Sequence, residues 1–471
     1  MKQRKLLHWI LPLAFTLFFI AGRVFLYGPM NDSVAAHDTD SYFEAAAADF
    51  PSISFFEQMR SATLPLIIKL LNPEQKYELT VLSEPFFGSE PELAVQPGTE
   101  SLVRFQTLLS IFSWVFFTLS LCSQLRRVSS KALLAGLLYS FAAVPQIADW
   151  DSILLSESIS FSLFVLMLGL LIHLLPLFFG RDPGRQEILL EVLFVFVTAC
   201  WLFTRDTNAY FILLLAVVFS AGSVYRWLKT RKAPLLTLAL SILLAGFFIF
   251  QQQTFQKSER WLLPFLNNMA ANVFPYSERV AFFEARGMPV SEVLLAQAGS
   301  AEYNELYQQE DFIRWAKADG LSAYSAFLLD MPLWAVLQVY NNLDAFFKEN
   351  IQPFFYGKPE EKPLWANSLG NLLHPLSAAV ILIDLLLILL LGQQVFRNAG
   401  MNAGIWLLFC LILFIGSGLL LSISYLGEVR SIWRHVLSGV FPLRMLLWIL
   451  VPVLWDQASG TSSGTSTPDQ G

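Results

Sequence analysis

The residues best suited to chemistry are carboxylates close to the ends of long apolar runs. Asp38 and Asp40 follow the first run, and Glu157 stands at the start of a later one. A carboxylate in such a place can act catalytically by accepting a proton from an attacking hydroxyl group. Arginines bind phosphate bidentately, so arginines near these acids would point to a phosphate-bearing substrate.

Further polar residues stand at the ends of the apolar runs and are candidates for substrate binding. They are Tyr42, Arg60, Asp151, Arg205, Glu428, Arg430, Arg434 and His435. Each one alone could be an ordinary charge at a membrane surface, and Arg60 could extend its charge to water from an interfacial helix. Acids and arginines from several separate loops nevertheless favour one shared site.

Asp38 is the residue that we expect to act as the base. It precedes a helix-forming stretch, residues 41–50, so its carboxylate could instead cap the backbone N–H groups of that helix. Asp40 makes an Asp-x-Asp pair with Asp38, and such a pair could hold a divalent cation. The expected chemistry requires no cofactor, and no set of metal ligands is predicted, since His173 has no second histidine four residues further on.

The composition excludes a water-soluble domain built around a single core. Of 471 residues, 55% are hydrophobic and only 14% are charged, whereas a soluble globular protein carries about 25% charged residues. So few charges cannot cover the apolar residues, and much of the surface must face lipid. No basic tract suggests a nucleic-acid partner. The cysteines Cys122, Cys200 and Cys410 lie in apolar runs and suit packing.

Ten apolar runs approach the roughly 20 residues that a helix needs to cross a bilayer. They cover residues 6–27, 102–122, 132–148, 153–179, 188–204, 209–225, 234–250, 373–396, 404–424 and 433–455. The sequence therefore predicts an all-α polytopic membrane protein with a membrane domain over 1–455. Two large outer segments, 28–101 and 251–371, interrupt the series. A disordered cytoplasmic tail is expected over 456–471.

The basic residues orient these spans. One cluster of basic residues precedes the first span, and further clusters follow the second, fourth, sixth and eighth spans. All fall on one side if every span is real. They are Lys2, Arg4 and Lys5, then Arg126, Arg127 and Lys131, then Arg181 and Arg185, then Arg226, Lys229, Arg231 and Lys232, and finally Arg397. Basic loops are cytoplasmic. Both termini are then expected in the cytoplasm and both large segments outside, most simply in a bacterial plasma membrane.

Aromatic residues are frequent in the second outer segment. Trp315, Trp334, Tyr340 and the pair Phe346–Phe347 could rest on the lipid interface, where Trp and Tyr are enriched. The segment is expected to contain helices and to be too closely tied to apolar neighbours to form an independent domain.

Several motifs resemble one enzyme family. Asp38-Thr-Asp-Ser-Tyr42 with Ala46 is similar to the start of the first outer loop in polyprenyl-phosphate-sugar-dependent glycosyltransferases of the GT-C superfamily, which includes protein O-mannosyltransferases and aminoarabinose transferases. Arg60-Ser-Ala-Thr-Leu-Pro65 resembles the family's Arg-x-Pro-x-Tyr-Pro segment at a second juxtamembrane helix, with Ala62 and Leu64 as departures. Leu154-Leu-Ser-Glu157 and Glu428 to His435 resemble segments before the fourth and last spans.

The resemblance implies a GT-C-like fold, with juxtamembrane helices in the outer loops. It also implies transfer of a sugar from a polyprenyl-phosphate donor to an acceptor hydroxyl on a protein, lipid or glycan, with inversion and an aspartate base in the first outer loop. Two alternatives stay open: a polysaccharide polymerase or ligase that uses a diphosphate-linked donor, and a secondary transporter. No clear repeat between the two halves of the chain supports a transporter.

Overall fold

The structure is a computed structural model that describes residues 2–27, 33–35, 38–71, 98–181, 184–231, 233–299, 304–348, 364–398, 400–430 and 432–458. Within these ranges the chain is helical and has no β-strand, apart from one parallel bridge between Val34 and Ile153. Most of the predicted tail and residues 72–97 and 349–363 of the two outer segments lie outside the described residues.

The described ranges contain helices of very different lengths. In chain order they are α1 (Lys2–Tyr27), α2 (Thr39–Ala47), α3 (Ile53–Phe56), α4 (Thr63–Leu71), α5 (Glu100–Gln124), α6 (Val128–Ala143), α7 (Pro145–Ala148), α8 (Ser156–Leu174), α9 (Arg185–Leu202), α10 (Asn208–Thr230), α11 (Leu235–Lys257), α12 (Leu262–Asn268), α13 (Ser277–Glu284), α14 (Glu292–Leu295), α15 (Asn304–Tyr307), α16 (Glu310–Trp315), α17 (Leu321–Asp330), α18 (Pro332–Lys348), α19 (Leu364–Leu373), α20 (Ala379–Asn398), α21 (Met401–Gly427) and α22 (Ile432–Ala458). Short 3₁₀ turns follow α7 and α8, and π-helical turns follow α12 and α16.

Among the described residues, eight helices are long and apolar enough to cross a membrane. They lie in α1, α5, α8, α10, α11, α20, α21 and α22. Two bent helix pairs would raise the number to ten if each were one span: α6 with the turn at 145–152, and 310–330 with α18. The structure thus confirms an all-α polytopic membrane protein.

The fifth predicted span differs from the others. It falls in α9, which is not among the eight candidate spans, because Arg185, Glu187 and Glu191 in its first seven positions shorten its uncharged run. The last span also differs at its end, because α22 continues as a helix to Ala458, into the first residues of the predicted tail.

Burial divides the long helices into a central helix and peripheral ones. Nearly all residues of the span in α8 are buried, whereas fewer than a third of those in α1, α11 and α20 are. Near the N-terminal end of α8, the Phe161 ring packs on Phe441 of α22, with 4.8 Å between ring centroids.

The first outer segment contains two nine-residue helices, α2 and α4, as expected from the sequence, joined through the single turn α3. Lys69 of α4 donates hydrogen bonds to the carbonyls of Ala46 and Ala48, at 3.2 and 2.8 Å. The end of α2 is thereby fixed to α4.

The second outer segment has its own hydrophobic core between residues 261 and 331. Trp315 is buried in this core rather than placed on a lipid interface, because its ring packs on Phe265 and Phe283. Phe346 and Phe347 are also buried, in a cluster with α21 and α22.

Candidate functional site

A parallel bridge sets the position of the first candidate base. The Val34 N–H donates to the Ser152 carbonyl at 2.8 Å, and the Leu154 N–H donates to the Val34 carbonyl at 3.0 Å. The Thr39 hydroxyl adds a bond to the Leu154 carbonyl at 3.1 Å. The start of α2 therefore lies beside the start of α8, which brings Asp38 and Glu157 to the same region.

Asp38 occupies the N-cap position of α2, but its side chain makes no capping hydrogen bond. Its two carboxylate oxygens instead accept hydrogen bonds from two different arginines. Arg60 Nη2 donates to Oδ1 at 2.6 Å, and Arg434 Nη1 donates to Oδ2 at 2.5 Å. Helix capping therefore does not explain this aspartate.

Arg434 joins Asp38 to a second, deeper carboxylate. Its Nε donates to Glu157 Oε1, and the same oxygen accepts from Arg205 Nη2 at 3.2 Å. Arg205 Nη1 also donates to the Ser438 hydroxyl at 2.9 Å. The five charged side chains form a continuous chain of contacts in the order Arg60, Asp38, Arg434, Glu157, Arg205, which we call the arginine cluster.

The members of the arginine cluster differ in exposure. The Asp38 and Arg60 side chains are 35% and 28% exposed, whereas Glu157 is fully buried. Three arginines face two carboxylates, which leaves one surplus positive charge. The arrangement therefore offers an accessible carboxylate, Asp38, and a buried carboxylate, Glu157, which Arg434 links.

The charges around Asp38 determine its ionisation. Burial by itself would raise the pKa of this carboxyl, but the positive charges of Arg434 and Arg60 outweigh that effect and hold the pKa well below its ordinary value. Asp38 is thus ionised at neutral pH, as a proton acceptor must be.

Tyr42 and His435 lie beside the arginine cluster. The Arg60 guanidinium lies 5.0 Å from the centroid of the buried Tyr42 ring, and the Tyr42 hydroxyl donates to the Ser156 hydroxyl at 3.1 Å. His435 is partly buried within electrostatic reach of both Arg205 and Arg434. Of the predicted site residues, the structure brings these two together with the five members of the arginine cluster.

Asp151 lies elsewhere, although it was predicted to bind substrate. Its carboxylate pairs with Arg23 of α1 and accepts a hydrogen bond from the Ser158 hydroxyl at 2.5 Å. Both charged side chains are almost completely buried. The Asp151 carboxylate therefore faces the interior of the bundle.

Glu428 and Arg430 belong to the contact between the second outer segment and α21. Glu428 accepts from the Asn267 side chain at 3.1 Å and from the Arg430 N–H at 2.9 Å. Burial raises the pKa of Glu428 above its ordinary value, and these hydrogen bonds offset only part of that effect. The structure places neither residue in the arginine cluster.

Asp40 is exposed on α2, and its carboxylate bonds to no other described residue. Among the described residues no group of three or more His, Cys, Asp or Glu side chains could hold a metal ion. Each oxygen of the Asp38 carboxylate already accepts a hydrogen bond from a guanidinium group, which would repel a cation bound there. A divalent cation at Asp38 and Asp40 stays a prediction.

A second network, which the sequence did not reveal, holds the loop that carries Arg60. Arg260 Nε donates to Asp206 Oδ2 at 3.1 Å, while its Nη1 donates to the Gln58 carbonyl at 2.8 Å. Asp206 also accepts from Gln251 at 2.6 Å and from the Ser61 hydroxyl at 3.2 Å. Backbone and side-chain contacts thus fix the chain on both sides of Arg60.

Arg205 and Asp206 do not neutralise each other, although they are adjacent in the chain. Arg205 turns towards Glu157, and Asp206 turns towards Arg260. The only available signal in the sequence for Arg260 is its place just after an apolar run, which many basic residues share.

Comparisons with known proteins found likeness in overall structure only. An archaeal oligosaccharyltransferase, AglB from Archaeoglobus fulgidus, in complex with an inhibitory peptide and a dolichol-phosphate, is 12% identical over 94% of this chain and 50% of its own, with a TM-score of 0.40. The Archaeoglobus fulgidus oligosaccharyltransferase in complex with Zn and sulfate is 13% identical over 95% and 49%, with a TM-score of 0.42.

The chain spans about half the length of these matched structures. No protein-family model matches the chain, and no curated protein matches it in sequence. The function is therefore argued from the arginine cluster itself.

Proposed function

We propose that this protein transfers a sugar from a polyprenyl-phosphate-linked donor to an acceptor hydroxyl, with inversion, and that Asp38 is the general base. The observation that carries the proposal is the position of Asp38 between Arg60 and Arg434, in a cluster with one surplus positive charge. A surplus of guanidinium charge beside an ionised, accessible carboxylate suits an anionic donor and a hydroxyl acceptor.

The arginines bind the donor phosphate. Arg60 and Arg434 each contribute a planar guanidinium that can hold two phosphate oxygens and stabilise the charge that develops on the leaving phosphate. When the phosphate binds, it competes with Asp38 for these groups, which leaves a carboxylate oxygen for the acceptor. Arg205 adds positive charge from the buried side.

The bond changes follow from this placement. The acceptor oxygen attacks the anomeric carbon while the bond from that carbon to the phosphate oxygen breaks, and the electron pair stays on the phosphate. The acceptor proton passes to Asp38. Attack opposite the leaving phosphate in a single displacement inverts the anomeric centre.

Glu157 has a supporting part in this mechanism. It is fully buried and accepts from both Arg434 and Arg205, so it orients the two guanidinium groups instead of touching the substrate. Tyr42 positions Arg60 through its ring, and His435 adds a polar group near the donor site.

The membrane arrangement completes the proposal. We infer that the arginine cluster is extracytoplasmic, that both termini are cytoplasmic, and that residues 1–455 form the membrane domain of a bacterial plasma-membrane protein. The support is the position of basic residues at the far end of the helices. Arg126 and Arg127, for example, donate backbone hydrogen bonds to Asp456, near the end of α22, while Arg434 at its start belongs to the cluster.

The acceptor can be a protein, a lipid or a glycan, because a hydroxyl is all that the proposed step requires. A polymerase or ligase with a diphosphate-linked donor is the second candidate, since a cluster with surplus positive charge also suits two phosphates. A secondary transporter agrees less well with the structure. Transporters bind their substrate near the middle of the membrane, whereas the arginine cluster lies at helix ends.

The test uses the purified full chain in lipid nanodiscs with polyprenyl-phosphate sugars and a mixture of hydroxyl acceptors. Release of polyprenyl phosphate that Asp38→Asn abolishes is the expected result. Release from diphosphate-linked donors alone would establish the polymerase or ligase instead. No release from either donor by a folded protein would overturn the proposal.

A further inference from the structure

The turn after α9 carries Arg205 and is closed by buried hydrogen bonds. The side chain of Asn208, the first residue of α10, donates to the Trp201 carbonyl and to the Thr204 hydroxyl, both at 2.9 Å. The Asn208 N–H donates to the Arg205 carbonyl at 3.2 Å. Thr204 and Asn208 are both buried. The backbone is therefore fixed directly before and directly after Arg205.

The same turn is joined to α8 beside Glu157. The Thr204 hydroxyl lies 3.1 Å from the Ser160 hydroxyl, within hydrogen-bond distance. Ser160 follows Glu157 by three positions, and residues with this spacing lie on one side of a helix. This contact and the ion pair between Arg205 and Glu157 therefore join the same two elements, about one helical turn apart.

The end of α9 is also joined to α4, close to Arg60. The last carbonyls of a helix have no partner within that helix. At the end of α9, the Phe203 carbonyl accepts from the Thr63 N–H at 2.9 Å, and the Cys200 carbonyl accepts from the Thr63 hydroxyl at 2.6 Å. Thr63 follows Arg60 by three positions. One helix end therefore holds two segments, distant in the sequence, that each carry an arginine of the cluster.

We propose that Thr63, Thr204 and Asn208, which we call the α9 junction, are positioning residues for the donor phosphate. They set the relative position of the Arg60 and Arg205 backbones, and so the spacing of two of the positive charges around the phosphate. This role rests on the proposed function, in which Arg60 binds the phosphate and Arg205 adds positive charge. The α9 junction itself touches neither donor nor acceptor.

The length of the arginine side chain is the reason why the backbone matters. A side chain with this many rotatable bonds loses considerable entropy when its charge is held in one place. Without ligand, the Arg60 tip is held by Asp38 and the Arg205 tip by Glu157. The phosphate competes with Asp38 for Arg60, and the backbone then keeps that guanidinium in place. Charges that are positioned in advance need no reorganisation during the reaction.

The test compares Thr204→Val with Thr204→Ser in the full chain, in lipid nanodiscs. Valine keeps the shape of the side chain and removes the hydroxyl, whereas serine keeps the hydroxyl. The probe is farnesyl phosphate, a short prenyl phosphate with the head group of the released product, and its Kd is measured by calorimetry. Thr204→Val should raise the Kd roughly threefold to tenfold, the equivalent of one hydrogen bond, and Thr204→Ser should bind nearly as well as the native protein. Thr63→Val and Thr63→Ser should differ in the same direction, through Arg60.

Thr237 provides the control near the other end of α10. Its buried hydroxyl accepts from the Ser223 hydroxyl at 2.7 Å, so Thr237→Val removes a similar bond far from the arginine cluster. This variant should lose unfolding temperature much as Thr204→Val does, and it should leave the Kd unchanged. An equal rise of the Kd in Thr237→Val would show general loosening of the bundle and overturn the role of the α9 junction.

A double-mutant cycle asks whether Thr204 acts through Arg205. In the Arg205→Gln background the effect of Thr204→Val on the Kd should disappear, because the charge to be positioned is gone. A full effect in that background, or an unchanged Kd in Thr204→Val alone, would overturn the role of the α9 junction and leave the proposed function intact. No binding of farnesyl phosphate by the folded native protein would overturn the donor site, and the α9 junction with it.

Discussion

The arginine cluster and the Arg23–Asp151 pair lie near the same end of the bundle and differ in charge balance and in access to solvent. In the arginine cluster, three arginines share two carboxylates, and the exposure of Asp38 reaches 35%. The Arg23–Asp151 pair has one charge of each sign, and its side chains are 0% and 5% exposed. Both involve acids close to the start of α8.

The difference separates a candidate site from a structural contact. Arg23 also donates to the Ala142 carbonyl at 3.0 Å, so the pair links α1 to α6 while it satisfies two buried charges. The arginine cluster leaves charge unbalanced and a carboxylate open to a ligand. Surplus charge together with access, more than the presence of ionisable residues, marks the place where chemistry is expected.

Asp38→Asn should have the largest effect. Asparagine keeps the size of the side chain but loses its basicity, so turnover should fall by about 10²–10⁴-fold, the usual contribution of a general base. The measurement is release of polyprenyl phosphate by protein that is still folded at the assay temperature, as a cooperative unfolding transition above that temperature shows. Asp40→Asn, two positions away on the same helix, is the matched control and should stay nearly active. Loss in Asp40→Asn with little loss in Asp38→Asn would move the base by two residues.

Asp151→Asn should act on stability and not on turnover. Removal of one partner from a buried pair leaves Arg23 charged and uncompensated, which lowers the free energy of unfolding by about 3–5 kcal/mol. Denaturation in detergent measures this loss. Asp311→Asn breaks an exposed pair with Arg314 and should cost about 0–1 kcal/mol. If Asp151→Asn were fully stable but inactive, the distinction between the two networks would fail.

Arg434→Lys should weaken donor use. A lysine keeps the charge but loses the planar guanidinium that can hold two phosphate oxygens. The apparent KM for the donor should therefore rise roughly 10–100-fold, the equivalent of one hydrogen bond to a charged group. Arg314→Lys, at an exposed arginine of α16, is the control and should leave the donor KM unchanged. An unchanged donor KM would assign Arg434 to structure.

Arg260→Lys should give a smaller change of the same kind. Arg260 does not touch the substrate in this proposal; it positions Arg60 through the Gln58 carbonyl and Asp206. Loss of one such bond should raise the donor KM roughly threefold to tenfold at constant kcat. A fall in kcat and in unfolding temperature without any change in KM would show a purely structural role.

The smallest effect concerns pH. The pKa of Asp38 is lowered in the folded protein, so its contribution to stability is complete above the unfolded value of about 3.9 and is lost only as the pH falls through the folded value. Between pH 5 and 8, Asp38 should therefore cause no change in the unfolding temperature. A transition in this range that Asp38→Asn removes would show that the arginines do not hold the carboxylate as described.

Hydropathy was sufficient to predict most of the fold, because long apolar runs have few alternatives in a membrane. The all-α architecture and the two short helices of the first outer segment agree with the sequence. The fifth predicted span, in α9, is the exception, since Arg185, Glu187 and Glu191 shorten its apolar run. The separate hydrophobic core of the second outer segment was not predicted. Its helices are short, and the residues that contact each other in it are far apart in the sequence.

The site could be predicted in part. Asp38, Arg60, Glu157, Arg205 and Arg434 were candidates because charges at helix ends are costly unless they are paired. The sequence could not show which charges pair, so Asp151 was grouped with them although its partner is Arg23. Contacts such as that of Arg260 with the Gln58 carbonyl involve the backbone. Every residue type has a carbonyl group, so the residue at position 58 could not indicate this contact.

The Val34–Ile153 bridge limits how the sequence of this protein can evolve. Asp38 and Glu157 each follow their bridge residue by four positions, and the bridge consists of backbone hydrogen bonds that many side chains would allow. Substitutions at positions 34 and 153 are therefore tolerable as long as they stay apolar. Insertion or deletion of one residue in either connection would displace one acid from the arginines while every functional residue remained in the sequence. In distant homologues, the two intervals should be kept more strictly than the residues within them.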